Sequence, residues 1–181
     1  MIKINMMCGK RNFGPNWVHI DKAKFPHIWS DHIGLGNLPL SSVDLIYCSH
    51  GIAYFSLDEI QKTLKHWLWT LIPGGTLRLA TPDFNILSKM YQVGIELDKL
   101  TGPLYGEMDM NGQKIYHKTV YDEQTLTGLL TEAGFINIHR YDHTKTEHPN
   151  TGNREDFYDD HAAAYINGTL ISLNLECNKP L

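Results

Sequence analysis

Val43-Asp-Leu-Ile-Tyr-Cys48 is a short continuous run of mainly apolar residues with the length of one strand, and it is the strongest indication of fold class in the chain. Such a run is typical of a parallel strand that is covered on both faces. The capping pattern Ser56-Leu-Asp-Glu59 follows and predicts a helix that continues to about Leu71. Pro73-Gly74-Gly75 ends that helix, and Thr76-Leu-Arg-Leu-Ala-Thr81 predicts the next strand. A strand, a crossover helix and a second strand predict a parallel α/β unit.

The rest of the chain continues this alternation. Further strands are predicted at residues 2–7, 17–21, 33–36, 135–141 and 170–177. Further helices are predicted from Asp83 to about Leu100 and from about Asp122 to Ala133, with a loop over residues 101–120 between them. The last two strands have no helix pattern between them, which predicts an antiparallel pair at one edge of the sheet. We therefore predict a single α/β domain over residues 1–181.

Composition narrows the classes of partner. The 16 Lys and Arg residues against 20 Asp and Glu residues give a formal net charge of −4, which provides no electrostatic footprint for nucleic acid or an anionic membrane. Cys8, Cys48 and Cys177 form no CxxC motif, and the N-terminus lacks a signal-peptide pattern. These features predict a reduced, soluble, cytoplasmic protein. A homo-oligomer stays open, and no metal site is predicted.

Polar residues follow several of the predicted strands, where open α/β sheets bind their ligands. Gly9 lets a backbone approach a ligand closely, and Asp21 can accept hydrogen bonds from both hydroxyls of a ribose. Asn37, beside Leu38, could recognise the edge of an adenine by donating and accepting together. This ordered set predicts a nucleoside-containing ligand. The structural alternatives are a tight turn at Gly9, a cap of the following turn at Asp21, and an ordinary turn at Pro39.

Candidates for the chemistry lie nearby. His50 follows the strand of residues 43–48 and is the candidate catalytic residue, because histidine exchanges protons near neutral pH. A buried histidine satisfied by the backbone is the competing interpretation. Tyr54, His117 and His161 are candidate substrate-side residues, with packing of the ring as the alternative for Tyr54.

Four stretches carry a resemblance to a known family, the class I S-adenosylmethionine-dependent methyltransferases, and within it to small methyltransferases of the type 11 kind. They are Lys3-Ile-Asn-Met-Met-Cys-Gly9 with Trp17-Val-His-Ile-Asp21; Asn37-Leu-Pro-Leu-Ser-Ser-Val-Asp-Leu-Ile-Tyr-Cys-Ser-His50; Leu71-Ile-Pro-Gly-Gly-Thr-Leu-Arg-Leu-Ala-Thr-Pro-Asp83; and Tyr121-Asp-Glu-Gln-Thr-Leu126 with Leu129-Leu-Thr-Glu-Ala-Gly-Phe135. The resemblance implies a Rossmann-like fold with a mostly parallel seven-stranded sheet and an antiparallel edge strand.

The resemblance also implies a function. It implies S-adenosyl-L-methionine as the cofactor and methyl transfer to a small molecule, including a sugar or glycan precursor. The residues it places around the cofactor are Cys8, Gly9, Asp21, Asn37, Leu38, Ser49 and His50. On this basis, Asp21→Ala is expected to lower cofactor affinity with little loss of stability.

Two departures from the family pattern support a second hypothesis. The first loop has one glycine, and the short connection from Cys8 to Asn16 leaves little room for a crossover helix, so reduced N-terminal helices are expected. The alternative function is a catalytically inactive module with the methyltransferase fold that acts through a binding partner.

Overall fold

The computed structural model describes residues 1–31, 35, 38–146 and 164–181. Its strands are β1 Lys3–Met6, β2 Val18–Ile20, β3 Val43–Ser49, β4 Leu71–Pro82, β5 Met108–Met110, β6 Gln113–Ile115, β7 Ile136–Arg140, β8 Tyr165–Ile166, β9 Thr169–Leu170 and β10 Ser172–Asn178. Its helices are α1 Leu57–Thr70, α2 Phe84–Gln92, α3 Leu97–Tyr105 and α4 Glu123–Ala133. Short 3₁₀ turns lie at Ile52–Tyr54 and His143–Lys145.

Six of the described strands form one sheet in the order β2-β1-β3-β4-β10-β7. The pairs β1–β2, β1–β3 and β3–β4 are parallel, whereas β10 is antiparallel to both β4 and β7. The antiparallel pair at one edge is therefore confirmed. β10, which is antiparallel to its neighbours, lies next to the edge strand β7 and not at the edge itself. Its apolar side chains Leu173, Leu175 and Cys177 are buried, whereas β7 is mostly exposed.

The resemblance implies seven strands in the sheet, and six described strands form it. The difference concerns the edge at β2. The strand predicted at residues 33–36 lies outside the described residues except for Leu35. Just before it, Ser30 forms an isolated parallel bridge with Ile20 at the outer side of β2. The backbone N–H of Trp29 also donates to the carbonyl of His19. The chain just before the predicted strand of residues 33–36 thus pairs with the outer side of β2.

One face of the sheet is covered by α1 and α4. Both halves of the Ser56/Glu59 capping box are present at the start of α1. Ile60, Leu64 and Trp67 are fully buried in the main core cluster, together with residues of β1, β3, β4 and β10. Local capping signals and a helical spacing of apolar residues therefore account for this layer.

The other face is covered near β1 by a loop in place of a helix. Phe13 and Trp17 pack edge to face, with ring centroids 5.2 Å apart, in a cluster with Leu45, Tyr47 and Ala80. The expectation of reduced N-terminal helices is confirmed, since no α-helix precedes α1 in the described part of the chain. Two aromatic side chains bury the apolar positions of β3 and β4 that a crossover helix would otherwise cover.

The predicted helix from Asp83 to Leu100 is wrong, because the chain forms α2 and α3 with a break between them. The break contains Gly94, whose φ of +92° is a backbone conformation that ends a helix and that glycine adopts without steric cost. The loop predicted at residues 101–120 is also wrong in part. It contains the second half of α3 and a hairpin made of β5 and β6.

None of the helices within the described ranges combines the length and the apolar character that a membrane crossing requires.

Candidate functional site

The candidate site lies at the carboxyl ends of three adjacent strands. β1 is placed between β2 and β3, and all three run parallel, so the residues that follow them emerge at the same edge of the sheet. These residues are Cys8 and Gly9 after β1, Asp21 after β2, and His50 after the last residue of β3, Ser49. The structure therefore brings together most of the residues that the sequence predicts at the cofactor site.

Asp21 joins two of these loops. Its Oδ2 accepts a 2.8 Å hydrogen bond from the backbone N–H of Gly9, and its Oδ1 accepts one of 2.7 Å from Ala23. The Asp21 residue is only 5% exposed. A carboxylate has about four lone-pair positions, so two further hydrogen bonds can be accepted from a ligand.

Gly9 presents an open side of its backbone. Its φ is +54°, and a Cβ built on it would meet no atom within 4 Å. A backbone that needs this conformation and has free space beyond its Cα is suited to close approach by a ligand. The carbonyl of Gly9 lies 3.2 Å from Nε2 of His27, which fixes the loop from the other side.

Cys8 faces inward at this loop. Its Sγ lies 3.9 Å from His27 Nε2, and the residue is 2% exposed. Burial raises the pKa of the Cys8 thiol to about 12, so the thiol is protonated near neutral pH. A neutral, buried thiol packs as a small apolar side chain.

His27 is a site residue that the sequence did not reveal. Its ring stacks on Phe25 with centroids 5.9 Å apart and meets His19 edge to face at 5.2 Å. No spacing rule connects His27 with Gly9, since the contact depends on how the loop after β2 folds back over the end of β1.

The end of β3 holds the candidate catalytic histidine. His50 is 8% exposed, its backbone has a φ of +56°, and its Nε2 lies 3.3 Å from Oγ of Ser172 at the start of β10. The preceding residue, Ser49, is buried, and its Oγ has no hydrogen-bond partner among the described residues. A buried hydroxyl without a partner costs free energy unless a ligand or water supplies one.

Gly51 allows the ends of β1 and β3 to approach. A Cβ at this position would lie 2.6 Å from Sδ of Met7 and 2.7 Å from Sγ of Cys48. No side chain fits there without movement of its neighbours. The close packing of the residues after β3 against Met7, which follows β1, therefore depends on this glycine.

Two of the substrate-side candidates are in contact. The ring of His117 meets the ring of Tyr54 edge to face at 4.6 Å, and the hydroxyl of Tyr54 donates a 2.6 Å hydrogen bond to the carbonyl of Gly106. His117 Nδ1 lies 3.1 Å from the carbonyl of Pro103 and so carries the hydrogen, because a carbonyl can only accept. Burial lowers the pKa of His117, so its neutral form, with a lone pair on Nε2, prevails near neutral pH.

The remaining predicted residues are not assembled by the described structure. Asn37 and His161 lie outside the described residues. Leu38 is half-buried against the main core, and its backbone N–H donates to the carbonyl of Leu35. Within the described ranges, no three His, Cys, Asp or Glu side chains are grouped so that they could hold a metal ion.

A surface depression lies away from this site. It is lined by residues 1–3 and 15–18, at the amino ends of β1 and β2. In parallel α/β sheets the ligand side is the carboxyl end, so this depression is not a candidate for the cofactor.

Comparison with known proteins agrees with this architecture. No protein-family profile matches the chain. A curated relative, demethylmenaquinone methyltransferase of Staphylococcus epidermidis, is 26% identical over 139 residues, which cover 70% of this chain. The chain spans 56% of the length of that relative.

Solved structures show the same fold. A SAM-dependent methyltransferase from Archaeoglobus fulgidus superposes with a TM-score of 0.60 at 12% identity, over 98% of this chain and 86% of that one. The 1,6-didemethyltoxoflavin-N1-methyltransferase of Burkholderia thailandensis, solved with 1,6-didemethyltoxoflavin and S-adenosylhomocysteine bound, gives 0.55 at 11% identity, over 99% and 71%. The resemblance to class I S-adenosylmethionine-dependent methyltransferases is thus confirmed, and the chain has their Rossmann-like fold.

Proposed function

We propose that the chain binds S-adenosylmethionine at the carboxyl ends of β1, β2 and β3 and transfers its methyl group to a small-molecule acceptor. The observation that carries this proposal is the joining of Gly9 and Asp21 by a 2.8 Å hydrogen bond at the ligand edge of a methyltransferase fold. Two of the named methyltransferases support it, because the names of the Staphylococcus epidermidis and Burkholderia thailandensis proteins refer to small molecules.

The residues at this edge fit the proposed cofactor. Asp21 retains acceptor capacity for the two hydroxyls of a ribose, and the open side of Gly9 leaves room for the methionine part. The buried Oγ of Ser49 can make a hydrogen bond with a bound molecule that the described residues do not provide. We place Asn37 and Leu38 at the adenine, and Cys8 and His50 beside the loop, as parts of the same proposal.

The chain's own residues need to do little beyond positioning. S-adenosylmethionine supplies a methyl group already activated on a sulfonium sulfur, so alignment of the acceptor provides much of the rate. The acceptor oxygen or nitrogen forms the new bond to the methyl carbon, and the sulfur keeps the electron pair of the broken bond. The acceptor's proton passes to a base, for which His50 and the neutral His117 are the candidates.

The acceptor class is the finer part of this proposal. We retain a sugar or glycan precursor as one class to be tested, on the sequence resemblance alone. Tyr54 and His117 are the proposed acceptor-side residues, because they meet beside the end of β3.

Calorimetric titration with S-adenosylhomocysteine tests the proposal, with NADH as the control ligand for other nucleotide-binding Rossmann-like proteins. Saturable binding of S-adenosylhomocysteine alone is expected. No binding at millimolar ligand contradicts the proposal and favours the inactive module, for which pull-down of partners is the next experiment.

An acceptor screen tests catalysis separately. The protein is incubated with S-adenosylmethionine and a panel of sugars, quinols and nitrogen heterocycles, and formation of S-adenosylhomocysteine is followed. Turnover that falls at least about tenfold in His50→Ala or His117→Ala identifies the base, since general bases contribute about 10²–10⁴-fold to rates. Equal turnover of both variants and the wild type removes both histidines from the mechanism.

A further inference from the structure

The hairpin of β5 and β6 reaches across the molecule to the candidate cofactor site. At its tip, Nδ2 of Asn111 donates a 3.1 Å hydrogen bond to the backbone carbonyl of Lys22. Lys22 comes directly after Asp21. The tip of the hairpin is therefore attached to the loop that holds the proposed ribose-binding carboxylate.

The base of the hairpin is attached on the other side of the site. The chain enters the hairpin after Gly106, whose carbonyl accepts the hydroxyl of Tyr54, and leaves it before His117, which packs on the ring of Tyr54. Tyr54 ends the 3₁₀ turn that follows β3. The hairpin thus runs from the end of β3 to the end of β2. Because β1 lies between these two strands in the sheet, the two attachments of the hairpin lie on either side of the strand that leads to Gly9.

The turn of the hairpin holds Asn111 in a defined position. Asn111 and Gly112 have φ values of +55° and +87°, which is the pattern of the two-residue Asn-Gly turns that suit hairpins. The backbone N–H of Gly112 also donates a 2.8 Å hydrogen bond to Oδ1 of Asp109. The tight turn presents the side-chain amide of Asn111 at the tip with little freedom of the backbone.

The two faces of the hairpin differ in chemistry. Met108, Met110 and Ile115 are half-buried, whereas Asp109 and Lys114 are exposed. Side chains alternate between faces along a strand, and Met108 is paired with Ile115, so the three apolar residues share the inward face. None of the three packs in a described core cluster. Methionine is flexible and polarizable, which suits a surface that adapts to a ligand.

We propose that the β5–β6 hairpin is the roof of the cofactor site, with Asn111 holding it to the Lys22 carbonyl and with Met108, Met110 and Ile115 contacting the bound cofactor and the apolar part of the acceptor. This inference rests on the proposed function. It also gives the site a cover where the described chain has no α-helix before α1.

The dissociation rate of S-adenosylhomocysteine tests the roof in the full chain. Asn111→Gly removes the amide while keeping a residue that tolerates positive φ, and Lys114→Gln changes the exposed face of the same hairpin by removing the ion pair with Glu107. We expect dissociation to accelerate about twofold to tenfold in Asn111→Gly, the range for one lost hydrogen bond, and to stay unchanged in Lys114→Gln. Met110→Ser should accelerate dissociation as well.

Hydrogen exchange provides a second measurement. If the hairpin had only a structural role, S-adenosylhomocysteine would not change the exchange rates of its amides. S-adenosylhomocysteine should slow exchange of the amides of residues 108–115 in the wild type, and should slow it less in Asn111→Gly. Equal dissociation rates in all four proteins, with no ligand effect on these amides, overturn the roof while leaving the proposed function intact. Failure of the wild type to bind the ligand at all overturns both.

Discussion

The backbone N–H of Gly9 lies 2.8 Å from Oδ2 of Asp21 and donates a hydrogen bond to it, which ties the loop after β1 to the loop after β2. The other carboxylate oxygen accepts the N–H of Ala23. The side chain that we propose for ribose recognition therefore also sets the geometry of its own site. Loss of this carboxylate removes a ligand contact and two internal hydrogen bonds together.

Asp21→Ala should therefore weaken both binding and folding. We expect a loss of about 1–3 kcal/mol in the free energy of unfolding, because two half-buried N–H groups lose their acceptor. The sequence-based expectation of little loss of stability did not include these contacts. Urea unfolding measures the loss, and titration with S-adenosylhomocysteine measures the change in affinity.

Asp44→Ala is the matched control for that variant. Asp44 Oδ2 accepts the N–H of Ile2 at 2.6 Å, near the amino end of β1, so this control loses one carboxylate–backbone hydrogen bond far from the ligand edge. It should be less destabilising than Asp21→Ala and should leave ligand affinity unchanged. Equal effects of the two variants on affinity would contradict a specific role for Asp21.

Gly51→Ala should destabilise the protein by about 1–3 kcal/mol, since the added methyl group would overlap the sulfur atoms of Met7 and Cys48. Gly128→Ala is its counterpart in the interior of α4. There a Cβ meets nothing within 4 Å, and alanine should stabilise by about 0.5–1 kcal/mol. Thermal unfolding of the two variants should shift in opposite directions. A stable Gly51→Ala protein would show that the ends of β1 and β3 separate readily.

Stability should fall as the pH is lowered below the usual pKa of histidine, near 6.5. Burial lowers the pKa of His19, and its Nε2 accepts a 2.8 Å hydrogen bond from the N–H of Phe13, which requires the neutral ring. The unfolded chain then binds more protons than the folded chain, so the free energy of unfolding rises with pH through this range. His117 acts in the same direction.

Urea unfolding between pH 7.5 and pH 5.5 measures this dependence. The double variant His19→Gln/His117→Gln should lose stability less steeply on acidification than the wild type does. An identical slope in both proteins would show that these two rings do not account for the acid sensitivity.

The thiols should be slow to react in the folded protein. Burial raises the pKa values of Cys8 and Cys48 to about 12 and raises that of Cys177 as well, so little thiolate is present near neutral pH. All three residues are also at most 2% exposed. A chromogenic disulfide reagent should modify them slowly in buffer and rapidly in urea. Rapid reaction of one thiol in buffer would indicate local opening near it.

Elements with strong local signals could be predicted from the sequence. The Ser56/Glu59 capping box and the apolar run of β3 are both patterns among residues close together in sequence. The order of Gly9, Asp21 and Ser49 along the chain predicted a shared site because parallel strands end at one edge.

Contacts between distant segments could not be predicted in this way. Asn111 meets Lys22 across 89 positions of sequence, and His27 reaches Gly9 only through the fold of a loop. The hairpin itself could have been predicted from the sequence, since the Asn-Gly dipeptide at residues 111–112 lies between two short strand-like segments, a pattern typical of a hairpin turn. The placement of the hairpin depends on the contact between Tyr54 and His117, which are far apart in sequence, so no local sequence pattern predicts it.

The place of β10 inside the sheet has a consequence for biosynthesis. β7 leaves the ribosome before β10, yet among the described strands its pairing partner is β10, which separates it from β4. Until residues 172–178 insert, β4 and β7 each present an open edge to other nascent chains. Pairing between such distant segments is slow, and exposed strand edges favour aggregation meanwhile. We therefore expect the yield of native protein to rise with slower translation, lower temperature or available chaperones.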